Sequence, residues 1–154
     1  MTPQIIKGWN SNTINWDDCI DIYNSSIEEC KNEQNIKYDS KHQLLLYGEM
    51  VKMKLPGFFN TPNAHIHQKV QDAMKMTNTA NAHMYFNISR KPGSLGLHYD
   101  EEDVFYWQCV GKVVVIIDDV EYLLNPGDMI KIPKYVIYNV VPITPRIGIS
   151  MSVT

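Results

Sequence analysis

The segment that decides the fold, residues 84–111, reads MYFNISRKPGSLGLHYDEEDVFYWQCVG. Residues 124–133 continue the same kind of pattern with LNPGDMIKIP. In both segments, short runs of Val, Ile, Tyr and Phe are separated by Gly, Pro, Asn and Asp, which is typical of β-strands joined by tight turns. Residues two apart on a strand share one face, so His98 and Asp100 are predicted to point the same way.

The strand pattern extends over the whole C-terminal part of the chain, residues 81–154. It predicts about seven or eight strands, with turns at 90–93 and 125–127, which is typical of a jelly-roll barrel or a sandwich. In the second turn, Gly127 is expected to have a positive φ angle, and Asp128 is expected to bind nearby backbone groups. The predicted strands cover residues 82–89, 95–100, 104–110, 112–118, 121–124, 128–132, 135–142 and 146–153.

Residues 1–80 are predicted to be mostly helical. Asn15 is a suitable N-cap for a first helix, because its side chain can accept a hydrogen bond from a free backbone N–H group. The apolar residues of this helix recur every three to four positions, as expected for a buried face. They are Trp16, Ile20, Tyr23 and Ile27.

A second helix is predicted to start at Thr61 and Pro62, since Thr is a favourable N-cap and Pro fits the first helical position. His65 and His67 would point in nearly opposite directions from this helix. They are therefore predicted to have surface or packing roles rather than to bind a metal. The predicted buried face of the helix consists of Ile66, Val70, Ala73 and Met74.

The composition limits the classes of protein that fit this chain. Its 154 residues suffice for one domain with one core, and its net charge of −3 argues against an extended nucleic-acid surface. The densest apolar run, residues 113–117, is far shorter than the roughly 20 residues of a membrane span, and the N-terminus lacks a signal-peptide pattern. The three cysteines fit no zinc spacing. We therefore expect one cytoplasmic domain over residues 1–154, with reduced thiols and with neither nucleic acid nor a membrane as partner.

The ordered motifs in residues 82–142 resemble the cupin-type JmjC oxygenases, and especially the ribosomal oxygenases, which hydroxylate side chains of ribosomal proteins. The matching elements are a glycine-punctuated turn, His98-x-Asp100, Asp103-Val-Phe105, a Gln and a Gly, and later Pro-Gly-Asp followed by Ile-x-Pro. The resemblance implies a mainly β, cupin-like double-stranded β-helix with an N-terminal helical segment. It also implies an oxygenase that uses Fe(II) and 2-oxoglutarate, with His98 and Asp100 as metal ligands.

The third metal ligand departs from the family's pattern. An imidazole and a carboxylate are two of the three ligands of the facial triad that holds non-haem Fe(II). The family's third ligand is a His five residues after the proline that matches Pro133, and this chain has Tyr138 there, followed by Asn139. A phenol has an ordinary pKa near 10 and binds a metal poorly until it is deprotonated. Tyr138 or water is the expected third ligand, and the Asn139 amide oxygen would be a weaker one.

The co-substrate site also departs from the pattern. The family binds the distal carboxylate of 2-oxoglutarate with a Lys or Arg two residues after the Gly that matches Gly111, where this chain has Val113. Lys112 is adjacent but should face the other side of its strand. Arg146 on the last strand is the expected substitute, because other oxygenases of this barrel type use a late Arg; a plain strand-end charge is the other interpretation. The residues expected to line the pocket are Tyr85, Asn87 and Ser89.

Three functions are open at this level. The first is an Fe(II)- and 2-oxoglutarate-dependent hydroxylase of a protein or small-molecule side chain, with reduced or altered metal chemistry. The second is a catalytically inactive cupin that binds a ligand or a partner, with His98 and Asp100 as a hydrogen-bonded pair. The third, a metal-dependent cupin of another chemistry, fits least because such proteins usually supply three or four ligands, mostly His. In the inactive module, packing or contact surface would come from Tyr99, Phe105, Tyr106 and Trp107. By resemblance to other cupins, a homodimer formed through the helical half is also expected.

Overall fold

The computed structural model describes residues 2–33, 57–90 and 94–154, and the side chains of its first helix as far as Ser26. The side chains of Ile27 and Cys30, and residues 91–93 of the predicted turn, lie outside this description. Neither described helix is long and apolar enough to cross a membrane. In chain order, the elements are β1 (Gln4–Ile6), α1 (Trp16–Glu33), β2 (Phe59–Thr61), α2 (Gln68–Thr77), β3 (Asn81–Asn87), β4 (Val104–Val110), β5 (Val113–Ile117), β6 (Val120–Leu124), β7 (Met129–Ile132), β8 (Asn139–Pro142) and β9 (Arg146–Ser152).

These strands form two antiparallel sheets. The larger sheet has the strand order β1-β7-β4-β9-β3-β2, and the smaller sheet has the order β6-β5-β8. Strand β4 lies between β7 and β9, so segments that are distant in the sequence meet at the centre of the larger sheet. The predicted mainly β, cupin-like jelly roll is confirmed.

The larger sheet is covered on both faces. Side chains alternate along each strand, so neighbouring residues point to opposite faces. On one face, Trp107 belongs to a core with Ile22 of α1 and Val70 of α2. On the other face, Val104 belongs to a second core with Val115 of the smaller sheet. A sheet covered in this way needs apolar residues on both sides of its central strands, which explains the dense apolar run of β4.

The first helix begins at the predicted cap but buries a different face. Asn15 Oδ1 accepts a hydrogen bond from the Asp18 N–H group at 2.8 Å, and Asp18 Oδ2 accepts one from the Asn15 N–H group at 3.1 Å. The predicted buried face is wrong, because Trp16 and Ile20 are 36% and 56% exposed. A neighbouring stripe with the same helical spacing packs on the sheet instead, and its small members allow a close approach. This stripe consists of Cys19, Ile22 and Ser26.

The second helix begins later than predicted, because Thr61 belongs to β2 and residues 64–66 form a short 3-10 turn. His67 is the N-cap, and its Nδ1 accepts a hydrogen bond from the Lys69 N–H group at 3.1 Å. The Nε2–H group of His67 therefore donates to Asp18 Oδ1 at 3.2 Å and links the two helices, in agreement with the expected packing role. Of the predicted buried face, Ile66 is only half-buried, and the buried members are Val70, Ala73 and Met74.

Two predicted strands are shorter in the structure. In residues 95–100, only His98 pairs, through an isolated bridge to Tyr138, and Gly96 interrupts the extended backbone with a φ angle of +74°. In residues 135–142, the φ angle of Tyr135 is +63°, and the strand begins only at Asn139. The helical prediction for residues 1–80 is also incomplete, since this part contributes β1 and β2 to the larger sheet.

The turn before β7 fastens the N-terminal segment to the barrel. Gly127 has the expected positive φ angle, +94°. The buried carboxylate of Asp128 accepts hydrogen bonds from the N–H groups of Asn125 and Gly8, each at 2.9 Å, and from Lys7 Nζ at 3.0 Å. Burial alone would raise the pKa of Asp128, but these donors outweigh it and lower the pKa below its ordinary value.

We predict that Asp128→Asn lowers the free energy of unfolding by about 1–3 kcal/mol at pH 7, because an amide cannot accept all three of these hydrogen bonds. A carboxylate with a lowered pKa stabilises the fold fully above the pKa of the unfolded chain, about 3.9, and loses this effect as the pH falls through the folded-state pKa. Urea unfolding at pH 7 and pH 3 should therefore show a smaller difference between the two proteins at pH 3. Glu121→Gln, at an exposed carboxylate, is the matched control; a loss equal to that of this control at pH 7 would contradict the prediction.

Candidate functional site

A cavity of about 120 Å³ lies between the two sheets. Its walls consist of inward-facing side chains of β3, β4 and β9, together with the loop before β4 and the segment before β8. Five of the seven site residues predicted from the sequence line it: His98, Asp100, Tyr138, Tyr85 and Arg146. Asn87 lies behind Arg146 and contacts it from the side of β3. Ser89 is exposed and does not line the cavity, so the prediction for it is wrong. The structure therefore brings the predicted metal and co-substrate residues into one cavity.

The imidazole of His98 is held in one tautomer. Its Nδ1 atom lies 2.8 Å from the Gly96 carbonyl oxygen. A carbonyl oxygen can only accept, so Nδ1 carries the proton and Nε2 keeps its lone pair. The positive φ angle of Gly96 turns the chain so that its carbonyl reaches the ring two residues later. A ring nitrogen fixed by such a bond leaves the other nitrogen oriented for a metal or for another donor.

Tyr138 occupies the position next to His98. The two residues form a hydrogen-bonded antiparallel pair, with N–H to carbonyl distances of 3.0 and 2.8 Å. Directly paired residues project to the same face of a sheet, and the centroids of the two rings are 4.4 Å apart. The backbone thus places the side chain of residue 138 directly beside that of His98.

The hydroxyl of Tyr138 donates a hydrogen bond to Asp100 Oδ2 at 2.5 Å. Burial raises the pKa of Tyr138 well above its ordinary value, and the hydrogen bond to the Asp100 carboxylate raises it further. The phenol is therefore neutral and acts as a donor to the carboxylate. In the described part of the chain, no protein donor contacts the other oxygen of Asp100, Oδ1.

These donors can be tested against the needs of a divalent metal ion. Nε2 of His98 and the carboxylate of Asp100 have the chemistry of metal ligands and share one wall of the cavity. The protonated oxygen of Tyr138 does not, and the described ranges contain no group of three His, Cys, Asp or Glu side chains that would form a closed site. The site fits a metal held by two protein ligands, with its other positions open.

Arg146 is a buried cation near the centre of the larger sheet. It is 1% exposed, and no Asp or Glu within the described ranges forms an ion pair with it. Its Nε–H group donates to Asn87 Oδ1 at 2.9 Å, and an Nη1–H group donates to Tyr106 Oη at 2.7 Å. The ring of Phe58 lies 5.4 Å from the guanidinium carbon. A guanidinium has five N–H donors, so three remain for a ligand in the cavity.

Two residues that contact Arg146 were not assigned to this site from the sequence. Tyr106 was expected only as packing or contact surface, although it lies between Val104 and Gln108 with the inward parity of β4. That parity was the available signal. Phe58 had no signal, because its place beside Arg146 depends on how β2 docks on β3. Lys112 is exposed and Val113 is buried, as expected from strand alternation.

The cavity opens into a wider surface groove of about 700 Å³. Tyr85, Asp100, Val104 and Ser150 line both spaces and form the passage between them. The groove is lined further out by His83, whose ring nitrogens contact the side chains of its neighbours on β2 and β3. Burial lowers the pKa of His83, although the Asp100 carboxylate acts in the opposite direction, so the ring is neutral at pH 7.

No protein-family model matches the sequence, and no curated protein sequence matches it significantly. Solved structures do match. YcfD, a ribosomal oxygenase from Escherichia coli, has a TM-score of 0.56 and 18% identity over 63% of this chain and 31% of that chain. The complex of YcfD with cobalt and 2-oxoglutarate has a TM-score of 0.53 and 19% identity over 58% of this chain and 29% of that chain. KdgF from a Halomonas species has a TM-score of 0.50 and 20% identity over 64% of this chain and 82% of that chain.

These likenesses show the fold. The chain has a cupin/JmjC-like jelly-roll fold, similar to the barrels of a ribosomal oxygenase and of KdgF. It spans about three-tenths of the length of the YcfD structures that it matches, between 29% and 31%. The predicted resemblance to the oxygenase fold is thus confirmed as a statement about architecture.

We predict that Tyr138→His increases the affinity for Ni(II) or Co(II) at least about tenfold, because an imidazole beside His98 adds a lone pair where the phenol offers a proton. Isothermal titration calorimetry measures the change. Tyr138→Phe is the matched control, since it releases Asp100 Oδ2 without adding a ligand. Equal affinities for Tyr138→His and Tyr138→Phe would show that residue 138 does not stand at a coordination position.

Proposed function

We propose that this protein is an Fe(II)- and 2-oxoglutarate-dependent oxygenase that hydroxylates a protein or small-molecule side chain. The observation that carries the proposal is the buried Arg146, which lines the same cavity as His98 and Asp100 and has no carboxylate partner among the described residues. A buried cation is costly unless it is paired. A ligand with a carboxylate of its own would supply an opposite charge that the described part of the chain does not.

The residues of the chain divide between two tasks. His98 Nε2 and the Asp100 carboxylate would hold Fe(II), and the three remaining N–H groups of Arg146 would hold the distal carboxylate of 2-oxoglutarate. When bound, the metal and co-substrate supply O₂ activation, with decarboxylation of 2-oxoglutarate to succinate and CO₂ and transfer of one oxygen atom to a substrate C–H bond. A site with two protein ligands leaves more coordination positions to water and co-substrate than a three-residue triad, which supports the expectation of altered metal chemistry.

Tyr85 suits the carboxylate end of the cavity. Burial raises the pKa of Tyr85 to about 12, with a further rise from Asp100 and an opposing effect of Arg146. The phenol therefore keeps its proton at pH 7 and can donate it in a hydrogen bond to an anion. Ser150, which lines the same cavity, adds a second hydroxyl. The substrate would approach through the groove, whose passage into the cavity lies at Asp100.

A catalytically inactive module that binds a carboxylate ligand is the second candidate. The observation that favours it is the hydrogen bond from Tyr138 to Asp100 Oδ2, since it occupies one oxygen of a metal ligand with a proton donor. In that case Arg146 would still bind an anion, and metal would be dispensable. Binding of 2-oxoglutarate with and without Mn(II) or Co(II) separates the two candidates, because only the first requires the metal.

We predict that the protein with Fe(II), ascorbate and O₂ converts 2-oxoglutarate slowly to succinate, as NMR can measure, and that His98→Ala abolishes the conversion. Arg146→Lys should weaken 2-oxoglutarate binding about tenfold to hundredfold, because a charge-assisted bidentate hydrogen bond contributes about 1.5–3 kcal/mol. Lys112→Met removes an exposed cation and serves as the control. Metal-independent binding with no succinate would favour the inactive module, and no binding at all would exclude both candidates.

The helical half of the chain supports a proposal about assembly. We propose that the protein forms a homodimer through this half, where Ile20 of α1 and Met76 of α2 are each 56% exposed and would be covered in the dimer. Light scattering after size-exclusion chromatography should give a dimer, and Ile20→Lys should shift it to a monomer. A wild-type monomer at all concentrations would refute this. Cytoplasmic location and the lack of a nucleic-acid partner stay predictions.

A further inference from the structure

A buried chain of hydrogen bonds lies behind Arg146. Nη1 of Arg146 contacts Tyr106 Oη at 2.7 Å, and Tyr106 Oη contacts Gln108 Oε1 at 2.8 Å. Nε2 of Gln108 contacts the carbonyl oxygens of Val110 and Gly111 at 2.8 and 3.0 Å. Arg146, Tyr106 and Gln108 are 1%, 3% and 0% exposed, so bulk water does not compete for these hydrogen bonds.

The direction of every bond in this chain is fixed. The two backbone carbonyls can only accept, so Gln108 must present its NH₂ group to them and its Oε1 atom to Tyr106. Tyr106 then donates its proton to Gln108, and its oxygen accepts from Arg146. A change of register between Gln108 and Val110 interrupts the pairing of β4 with β9 and leaves the carbonyls within reach of the Gln108 amide.

Gly148 makes room for this arrangement. A β-carbon at position 148 would lie 1.9 Å from Tyr106 Oη and 2.4 Å from the ring carbon that bears it. Gly148 pairs with Gln108 across the two strands, so the tyrosine ring lies against a strand that has no side chain there. Any larger residue would displace the hydroxyl from Arg146.

We propose that Tyr106 and Gln108 are positioning residues that hold the guanidinium of Arg146 in one orientation, and that they make the cavity select ligands with a second carboxylate. The inference rests on the proposed function for the identity of that ligand. Asn87 fixes the Nε side of the same guanidinium, and its own amide donates to the carbonyls of Ser89 and Thr144, so its Oδ1 must accept. Because both edges are fixed, the Arg146 side chain loses no further conformational freedom when a carboxylate binds.

Selectivity follows from this rigidity. A 2-oxo acid that has a single carboxylate, such as pyruvate, would use only the metal-binding end of the cavity and gain nothing from Arg146. A 2-oxo acid with a distal carboxylate, such as 2-oxoglutarate, would use both ends. The ratio of the two dissociation constants therefore reports on the orientation of Arg146, whereas a general loss of stability would weaken the binding of both ligands.

The test measures the dissociation constants of 2-oxoglutarate and pyruvate with Mn(II)-loaded protein by calorimetry. Tyr106→Phe should weaken the binding of 2-oxoglutarate about tenfold and leave the binding of pyruvate unchanged. Gly148→Ala should have the same kind of effect, because its methyl group would displace the Tyr106 hydroxyl. Tyr122→Phe is the matched control, because it removes a hydroxyl beside the same apolar core without lining the cavity. An equal loss for both ligands, or no loss, would overturn the proposed role.

A second readout does not depend on any ligand. The chain has only two arginines, Arg90 and Arg146, so Arg146→Lys assigns their guanidinium ¹⁵N–¹H signals. Hydrogen bonds at both edges should slow rotation of the Arg146 Nη groups and separate their signals, and Tyr106→Phe should merge them. If the wild type binds neither acid, the proposed function fails, and these spectra alone decide: separate signals that merge in Tyr106→Phe support the positioning role, and unchanged signals overturn it.

Discussion

The larger sheet is covered on both faces, and this constraint governs the rest of the molecule. The two helices cover one face and the smaller sheet covers the other, so most residues of β4 and β9 are buried whichever way they point. Apolar side chains satisfy this condition without further partners. Polar ones must find partners inside the protein, because a buried polar group without a hydrogen bond costs about 1–3 kcal/mol. The polar residues of β3, β4 and β9 therefore mark the part of the barrel interior that is not a purely apolar core.

Arg146 shows how the fold meets this condition in part. Two of its edges are paired with neutral acceptors, Asn87 and Tyr106. Backbone carbonyls fix the amide of Asn87, and the side chain of Gln108 fixes the hydroxyl of Tyr106. Its charge is left without an opposite charge in the described part of the chain. A core selected only for stability would place an apolar residue here, since replacing buried charges by apolar groups is often neutral or stabilising. The retained cation supports the proposal that the space between the sheets binds an anion.

The other end of the cavity holds the two residues that we propose as metal ligands. The bridge between His98 and Tyr138 sets their side chains beside each other, and the Nδ1–H group of His98 donates to the Gly96 carbonyl. The neutral phenol of Tyr138 donates to Asp100. In the proposed oxygenase, two protein ligands and the proton of Tyr138 would therefore set the metal chemistry.

The sequence by itself determined the barrel and the common direction of His98 and Asp100, because strand alternation and turn residues act over a few positions and leave a direct pattern. It also singled out residue 138 from its distance to Pro133 and Arg146 as a late cation, and both line the cavity with His98 and Asp100. Only the tertiary structure decided which face of α1 is buried, since two stripes of that helix have the same spacing and the sheet selects one. Only the tertiary structure joined Arg146 to Tyr106, Gln108 and Gly148, because these contacts cross between β4 and β9, whose nearest ends, Val110 and Arg146, are 36 positions apart, and they leave no local signal.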